Sequence, residues 1–161
     1  MRYLAITIYL IFSCAVSAET FTLYLIRHAE KDLTQKTDPN LTDKGRQTAL
    51  KLKNFLSNQS LSSIYSTNYK RTLNTAKPIS DLKKLSIKNY DPASLKTLAE
   101  QLIDKQQNAL IVGHSNTTPE LVGLLGGISN PIAEDEYGEV FILTIDSSNQ
   151  SVETKSHLLK D

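Results

Sequence analysis

Short apolar runs alternate with polar and amphipathic stretches along most of the chain. The first run covers residues 21–26 and stops abruptly at Arg27, and a run of this length bounded by polar residues predicts a buried strand. Similar runs predict strands at residues 61–66, 86–90, 109–112 and 140–145, followed by an edge strand at residues 152–158. The pattern therefore predicts six strands.

Four helices are predicted between these strands from their apolar stripes and their end signals. Thr42 is the predicted N-cap of the first helix, and Pro78 is expected to bend or end the second. Each of the last two begins with a capping residue followed by proline, at Asp91 and at Thr118. Strand and helix alternate without a linker, so residues 19–161 are predicted to form one domain. Its expected architecture is α/β, a three-layer α/β/α sandwich whose mostly parallel central sheet has an antiparallel edge strand.

The first 18 residues have a different pattern. Arg2 precedes a mostly apolar stretch at residues 4–12, and small residues follow as far as Ala18. This layout predicts a secretory signal peptide, cleaved after Ala18, and its apolar part is too short to span a membrane. Residues 11–14 also loosely resemble a bacterial lipobox, which would make Cys14 a lipidated first residue instead. Either way, we expect a periplasmic or secreted bacterial protein without stable membrane insertion of the chain.

Charge and cysteine content narrow the function classes. The formal net charge of the 161 residues is +1, so no strong field favours binding to nucleic acid. Removing residues 1–18 takes away Arg2 and the single cysteine, Cys14, and leaves 17 basic and 17 acidic side chains. The mature chain is then expected to have neither a disulfide nor a cysteine metal site.

Basic and imidazole side chains follow three of the predicted strands. Arg27 and His28 follow the first strand, Arg71 lies shortly after the second, and His114 follows the fourth. The carboxyl ends of parallel strands share one edge of a sheet, so these side chains are expected to meet there. Guanidinium groups match phosphate oxygens, and a neutral imidazole can attack phosphorus. The set predicts phosphoryl transfer.

The segments that carry these residues resemble known sequence blocks. They are LIRHAEK at 25–31, LTDKG at 41–45, YSTNYKRTLNTA at 65–76 and VGHSNT at 112–117. Together they are similar to the histidine phosphatase superfamily, which includes the phosphoglycerate mutases. The short length makes the chain most similar to the small phosphohistidine-phosphatase-like members.

The resemblance implies a role for each of the four residues. His28 would be the nucleophile that becomes phosphorylated, Arg27 and Arg71 would hold the phosphoryl oxygens, and His114 would complete the pocket. A small phosphorylated substrate is implied, with no metal or other cofactor. Two residues beside His114 are candidates either for substrate hydrogen bonds or for a turn alone: Ser115 and Asn116.

Two departures from the family pattern bear on activity. Ala29 stands where the family usually has glycine, and no acidic residue matches the family's general acid cleanly. Four acidic side chains are candidates for that role: Glu30, Glu134, Asp135 and Glu136. Without an acid, substrates with good leaving groups would be favoured. His157 is expected to lie exposed on the edge strand, and the tyrosines, including Tyr69 and Tyr137, are expected to be packing residues.

Several functions are compatible with these residues. An exported phosphatase fits best, and a mutase fits poorly because no lid insertion shields a phosphoenzyme from water. The main alternative is a catalytically weak or inactive protein that binds phosphate or a phosphosugar. A metal site built from His28, Glu30 and His114 is a further, weaker alternative.

Overall fold

The computed structural model describes residues 20–159, so the predicted signal peptide and Cys14 lie outside the described residues. The elements, in chain order, are β1 (Thr20–Arg27), α1 (Asp43–Leu56), β2 (Ser63–Ser66), α2 (Lys70–Lys83), β3 (Ile87–Asn89), α3 (Leu95–Lys105), β4 (Ala109–Gly113), α4 (Thr117–Leu124), β5 (Glu139–Asp146) and β6 (Ser151–Leu158). Within residues 20–159 no helix is long and apolar enough to cross a membrane.

The six strands form one sheet in the order β3-β2-β4-β1-β5-β6. The pairs β2–β3, β2–β4 and β1–β4 are parallel, whereas β5 pairs antiparallel with β1 and β6 antiparallel with β5. The α/β fold with a mostly parallel sheet is confirmed. The reversed strand is β5, one position in from the edge, because a short turn joins β5 to β6 and a tight turn can only join antiparallel neighbours.

The helices cover both faces of the sheet, as predicted. Side chains alternate across β1, so Ile26 packs in one core with α1 and α2 while Leu25 packs in the other with α3 and α4. Both side chains are fully buried. Burying a side chain of this size stabilises the fold by about 1.5–3 kcal/mol. The two cores hold the sheet between the helices and fix the positions of the strand ends.

Two of the helix predictions concern α1 and α2. Thr42 is confirmed as the N-cap of α1, where its hydroxyl accepts a hydrogen bond from the Gly45 N–H at 3.0 Å. Pro78 does not end α2, as one of the two predicted alternatives had it, because the helix continues to Lys83. Buried residues on both sides of the proline hold the helix together, and the exposed position of Asn74 lets water reach the carbonyl that Pro78 leaves without a donor.

The predicted starts of α3 and α4 are also displaced. The Asp91 carboxylate accepts a hydrogen bond from the Ala93 N–H at 2.9 Å, which makes a local turn, so α3 begins only at Leu95. Thr117 accepts a hydrogen bond from the His114 N–H at 3.0 Å and starts α4 one residue before the predicted cap. Both differences arise from side-chain bonds to nearby backbone.

Candidate active site

A cavity of about 460 Å³ opens at the carboxyl ends of β1 and β4, beside the first turn of α2. The four predicted catalytic residues and the two candidates for substrate hydrogen bonds all line it: Arg27, His28, Arg71, His114, Ser115 and Asn116. The structure therefore brings together side chains that are far apart in the chain. Lys31 and Glu134 also line the cavity.

Backbone pairing between β1 and β4 places the two histidines next to each other. Arg27 lies opposite Gly113 in the parallel register, and the His28 N–H donates to the Gly113 carbonyl at 2.9 Å. The next residue on each strand end is a histidine, and the two ring centroids are 5.5 Å apart. The main-chain ladder thus sets the separation of the imidazoles.

The His28 ring is held in one tautomer. Its Nδ1 lies 2.8 Å from the Ala29 carbonyl oxygen, which can only accept, so Nδ1 carries the proton and donates it. The Nε2 lone pair is left free. Ala29 is fully buried and packs with Leu41 and Ala49, so its methyl group, where the family usually has glycine, is accommodated in a small core.

Both histidines are uncharged at neutral pH. Burial lowers the pKa of His28 to about 3, to which the charges of Arg71 and Arg27 contribute. Burial and the same two guanidinium groups lower the pKa of His114 to about 4. His28 is therefore a neutral imidazole with no proton on Nε2, and this nitrogen is available as a nucleophile.

We expect the imidazole NMR signals of His28 and His114 to titrate well below pH 6.5 in the free protein. Inorganic phosphate should raise both pKa values, because its negative charge offsets the guanidinium charges. The unfolded chain binds more protons than the native chain below pH 6.5, so the free energy of unfolding should fall as the pH drops from there towards 3. A histidine of this pair that titrates near 6.5 without phosphate would contradict the burial and charge described here.

The Arg27 side chain is buried and only partly satisfied. Its Nη1 donates to the carbonyls of Ala133 and Glu136 at 2.7 and 2.8 Å, and its Nη2 donates to the Glu134 carboxylate at 3.1 Å. The Tyr137 ring stacks on the guanidinium, with its centroid 4.2 Å from Cζ. The Nε atom is buried and has no hydrogen-bond partner among the described residues.

Arg71 shows the same feature from the other side of the cavity. Its Nη2 donates to His114 Nδ1 at 3.3 Å, and its Nη1 lies 4.0 Å from an Asp38 carboxylate oxygen. Its Nε is again buried without a partner in the described part of the chain. Buried donors are nearly always satisfied, so two unpartnered guanidinium donors beside one cavity indicate a site for an anion with several oxygens.

Residues 23–101 match the family model of the histidine phosphatase superfamily (branch 1). In this segment and in its fold, the chain is similar to the histidine phosphatase superfamily. The matched part includes Arg27, His28 and Arg71 and ends before His114. The resemblance is thereby confirmed for the three sequence blocks between residues 25 and 76, whereas the block at 112–117 lies outside the match. No curated protein matches the chain in sequence.

Several solved structures share the fold. The protein histidine phosphatase SixA complexed with tungstate superposes with a TM-score of 0.69 at 18% identity, over 86% of this chain and 97% of that one. A putative phosphohistidine phosphatase SixA from Nakamurella multipartitia gives 0.64 at 16%, over 88% and 98%. A phosphoglycerate mutase from Bacillus anthracis gives 0.65 at 16%, over 87% and 93%. At these identities the comparison establishes the fold.

Only one of the four acid candidates lines the cavity. The Glu134 carboxylate accepts hydrogen bonds from Ser115 at 2.7 Å and from Arg27, and Lys31 lies 3.8 Å away. The Ser115 hydroxyl and then the Arg27 charge lower the pKa of Glu134, so it is ionised at neutral pH. Asp135 is exposed and does not line the cavity.

The carboxylates of the other two acid candidates are bound outside the cavity. Glu30 accepts from the Thr48 hydroxyl at 2.8 Å and pairs with Lys44 at 3.4 Å, so α1 draws its carboxylate out of the cavity. Glu136 accepts from the Ala133 N–H at 2.8 Å and shapes its own loop. The alternative metal site loses its carboxylate with Glu30, and within residues 20–159 no group of three or more His, Cys, Asp or Glu side chains is placed to hold a metal ion.

Sequence reasoning missed residues that support the catalytic groups. Tyr69 and Tyr137 do pack, but they pack against the site: Tyr69 lies under Arg71 at 4.5 Å and meets the edge of His114 at 5.2 Å. The Thr67 hydroxyl contacts Nε2 of His114. Lys31 could have been found by extending the strand-end argument by three residues past His28. No signal in the sequence marked the tyrosines, because their role depends on which arginine they face.

Proposed function

We propose that this chain is an exported phosphatase that hydrolyses phosphomonoesters or similar phosphorylated substrates through a phosphohistidine on His28. The observation that carries the proposal is the cavity itself. A neutral imidazole with a free Nε2 faces the same space as two guanidinium groups, whose buried Nε donors have no hydrogen-bond partner within residues 20–159. A tetrahedral phosphoryl group would satisfy both donors and meet the nucleophile.

The proposed reaction has two steps. The His28 Nε2 lone pair attacks phosphorus, the bond to the leaving oxygen breaks with its electron pair, and the leaving group departs. Water then attacks the phosphorus of phosphohistidine, loses a proton to solvent, and releases inorganic phosphate and the neutral imidazole. Arg27 and Arg71 stabilise the charge on the transferring oxygens in both steps, and His114 accepts a hydrogen bond from Arg71 beside them.

The cavity holds no protonated acid candidate that could assist departure of the leaving group. Glu134 is ionised in the free protein and held by Arg27 and Ser115, so it has no proton to give. The better substrates are therefore those whose leaving groups need no protonation, such as aryl phosphates, phosphohistidine and phosphoanhydrides. The tungstate bound to the solved SixA structure is consistent with a site for a tetrahedral oxyanion.

Purified mature protein tests the proposal with 4-nitrophenyl phosphate in the presence of EDTA. We expect phosphate release, and rapid acid-free quenching should trap a phosphoenzyme that is labile to acid, as phosphohistidine is. Abolition of turnover by EDTA would favour metal-dependent chemistry. Phosphate binding without turnover across aryl phosphates, acyl phosphates and phosphohistidine peptides would overturn the phosphatase and favour the second candidate.

That second candidate is a phosphate- or phosphosugar-binding protein with little or no activity. One observation favours it, namely that the one acid candidate in the cavity is ionised. The two candidates differ in His28, because a binding protein needs the arginines but has no need of a free nucleophile. The free Nε2 of His28 favours the enzyme.

Export is proposed from residues 1–18 alone. The support is their sequence pattern, with a basic start, an apolar middle and small residues before Ala18. Expression in a bacterium, followed by fractionation and mass analysis of the N-terminus, tests it. A periplasmic protein that begins at Glu19 supports cleavage after Ala18, a lipid-modified Cys14 supports the alternative, and an uncleaved cytoplasmic chain overturns export.

Replacing Glu134 with Gln should lower KM for 4-nitrophenyl phosphate by about two- to fivefold, the size expected for one exposed ion pair. In the free protein the Glu134 carboxylate is paired with Arg27, so a substrate phosphate has to displace the carboxylate. Initial rates over a range of substrate concentrations measure the change.

The matched control is Asp135→Asn, which removes the same charge from the same loop outside the cavity and should leave KM unchanged. If Glu134→Gln instead reduced kcat far more for alkyl than for aryl phosphates, Glu134 would be the proton donor after all.

A further inference from the structure

Both ring nitrogens of His114 have protein partners. Nδ1 lies 3.3 Å from Arg71 Nη2, and Nε2 lies 2.9 Å from the Thr67 hydroxyl oxygen. A guanidinium nitrogen can only donate, so Nδ1 must be the acceptor and carries no proton. In a neutral ring the proton then belongs to Nε2, which donates it to Thr67.

The hydroxyl side of this arrangement leads to the same assignment. Thr67 donates to the Thr72 hydroxyl oxygen at 3.0 Å, and Thr72 donates to the carbonyls of Thr67 and Tyr69, each at 2.9 Å. Carbonyl oxygens only accept, so the chain of donors can run only outward from His114. Thr67 and Thr72 are fully buried, so water does not compete for these bonds. The Arg71 donor at one end of this chain of hydrogen bonds and the carbonyl acceptors at the other end thus require the same direction of donation.

We propose that Thr67 is a positioning residue that holds His114 in the Nε2–H tautomer and leaves Nδ1 on the Arg71 side of the ring. Its effect on turnover rests on the proposed phosphatase function, whereas its effect on the tautomer does not. Thr67 follows β2, which lies beside β4, so the strand that leads into Arg71 also orients the second histidine. Without the hydroxyl, the buried Nε2–H has no acceptor and the ring loses its fixed orientation.

Nitrogen-15 NMR of the ring tests the tautomer in the free wild-type protein. We expect the chemical shift of Nε2 in His114 to be that of a protonated nitrogen and that of Nδ1 to be that of an unprotonated one. Thr67→Val should shift both values towards a mixture of tautomers, and Thr67→Ser should restore them. A wild-type ring with its proton on Nδ1 would overturn the proposal, whatever the protein's activity and even if Thr67→Val fails to fold.

Kinetics provide the second measurement. Thr67→Val should lower kcat/KM by about 10- to 100-fold, the effect expected when one buried donor loses its acceptor, and Thr67→Ser should recover most of it. The matched control is Thr118→Val, because Thr118 is a buried threonine whose hydroxyl has no hydrogen-bond partner among the described residues. Equal losses in Thr67→Val and Thr118→Val, or no change in either the shifts or kcat/KM for Thr67→Val, would contradict the role.

Discussion

His28→Ala is expected to abolish turnover of 4-nitrophenyl phosphate, with a fall in kcat of at least about 10⁴-fold. The variant removes the protein atom that forms a bond to phosphorus in the proposed mechanism, so the covalent intermediate cannot form. Phosphate or vanadate should still bind, since Arg27 and Arg71 remain. Steady-state kinetics and isothermal titration with phosphate measure the two properties separately.

His157→Ala is the matched control for this experiment. His157 lies on β6 and stacks on Phe55, with ring centroids 4.4 Å apart, and it does not line the cavity. Its replacement should leave kcat unchanged. If His28→Ala kept full activity, His28 would not be the nucleophile, and loss of phosphate binding together with activity would show that the ring serves mainly to hold the anion.

Arg71→Ala should have the second largest effect, a fall in kcat/KM of about 10²- to 10³-fold. Its guanidinium supplies one of the two buried unpartnered Nε donors and also holds His114 Nδ1. Phosphate affinity should fall as well, unlike in the His28 variant. Arg71→Lys keeps the charge but not the two-pronged geometry, so its kcat/KM should lie between those of Arg71→Ala and wild type.

Arg46→Ala is the control for loss of an arginine. The Arg46 side chain lies on the outer surface of α1, where it donates to the Leu41 carbonyl and pairs with Asp43. Its removal should leave phosphate binding and kcat/KM unchanged. Equal effects of the Arg71 and Arg46 variants would mean that net charge, and not contact with the anion, determines affinity.

The parts of the structure that follow from local pattern could be predicted from the sequence. Apolar runs of strand length gave the position of β1 and β4, and parallel pairing then places His28 and His114 on the same edge. Thr42 could be assigned as a cap because its hydroxyl accepts a hydrogen bond from a backbone N–H only three residues away. In each case the deciding interaction is either local or common to every parallel sheet.

The errors arose where a tertiary contact outweighs the local signal. A proline usually ends a helix, but buried residues on both sides of Pro78 keep α2 continuous. Glu30 is close to His28 in sequence, yet Thr48 and Lys44 of α1 bind its carboxylate. The bond from His114 to Thr67 spans 47 residues and could not be inferred from spacing.

The pairing of β1 with β4 also has a consequence for folding kinetics. Leu23 and Ala109, which are partners in that ladder, are 86 residues apart, so this pairing closes a long loop and should form late. Until it forms, a folding intermediate has no anion site, however complete α1 and α2 are. Phosphate should therefore slow unfolding without accelerating refolding, which makes the ligand a selective probe of the last step of assembly.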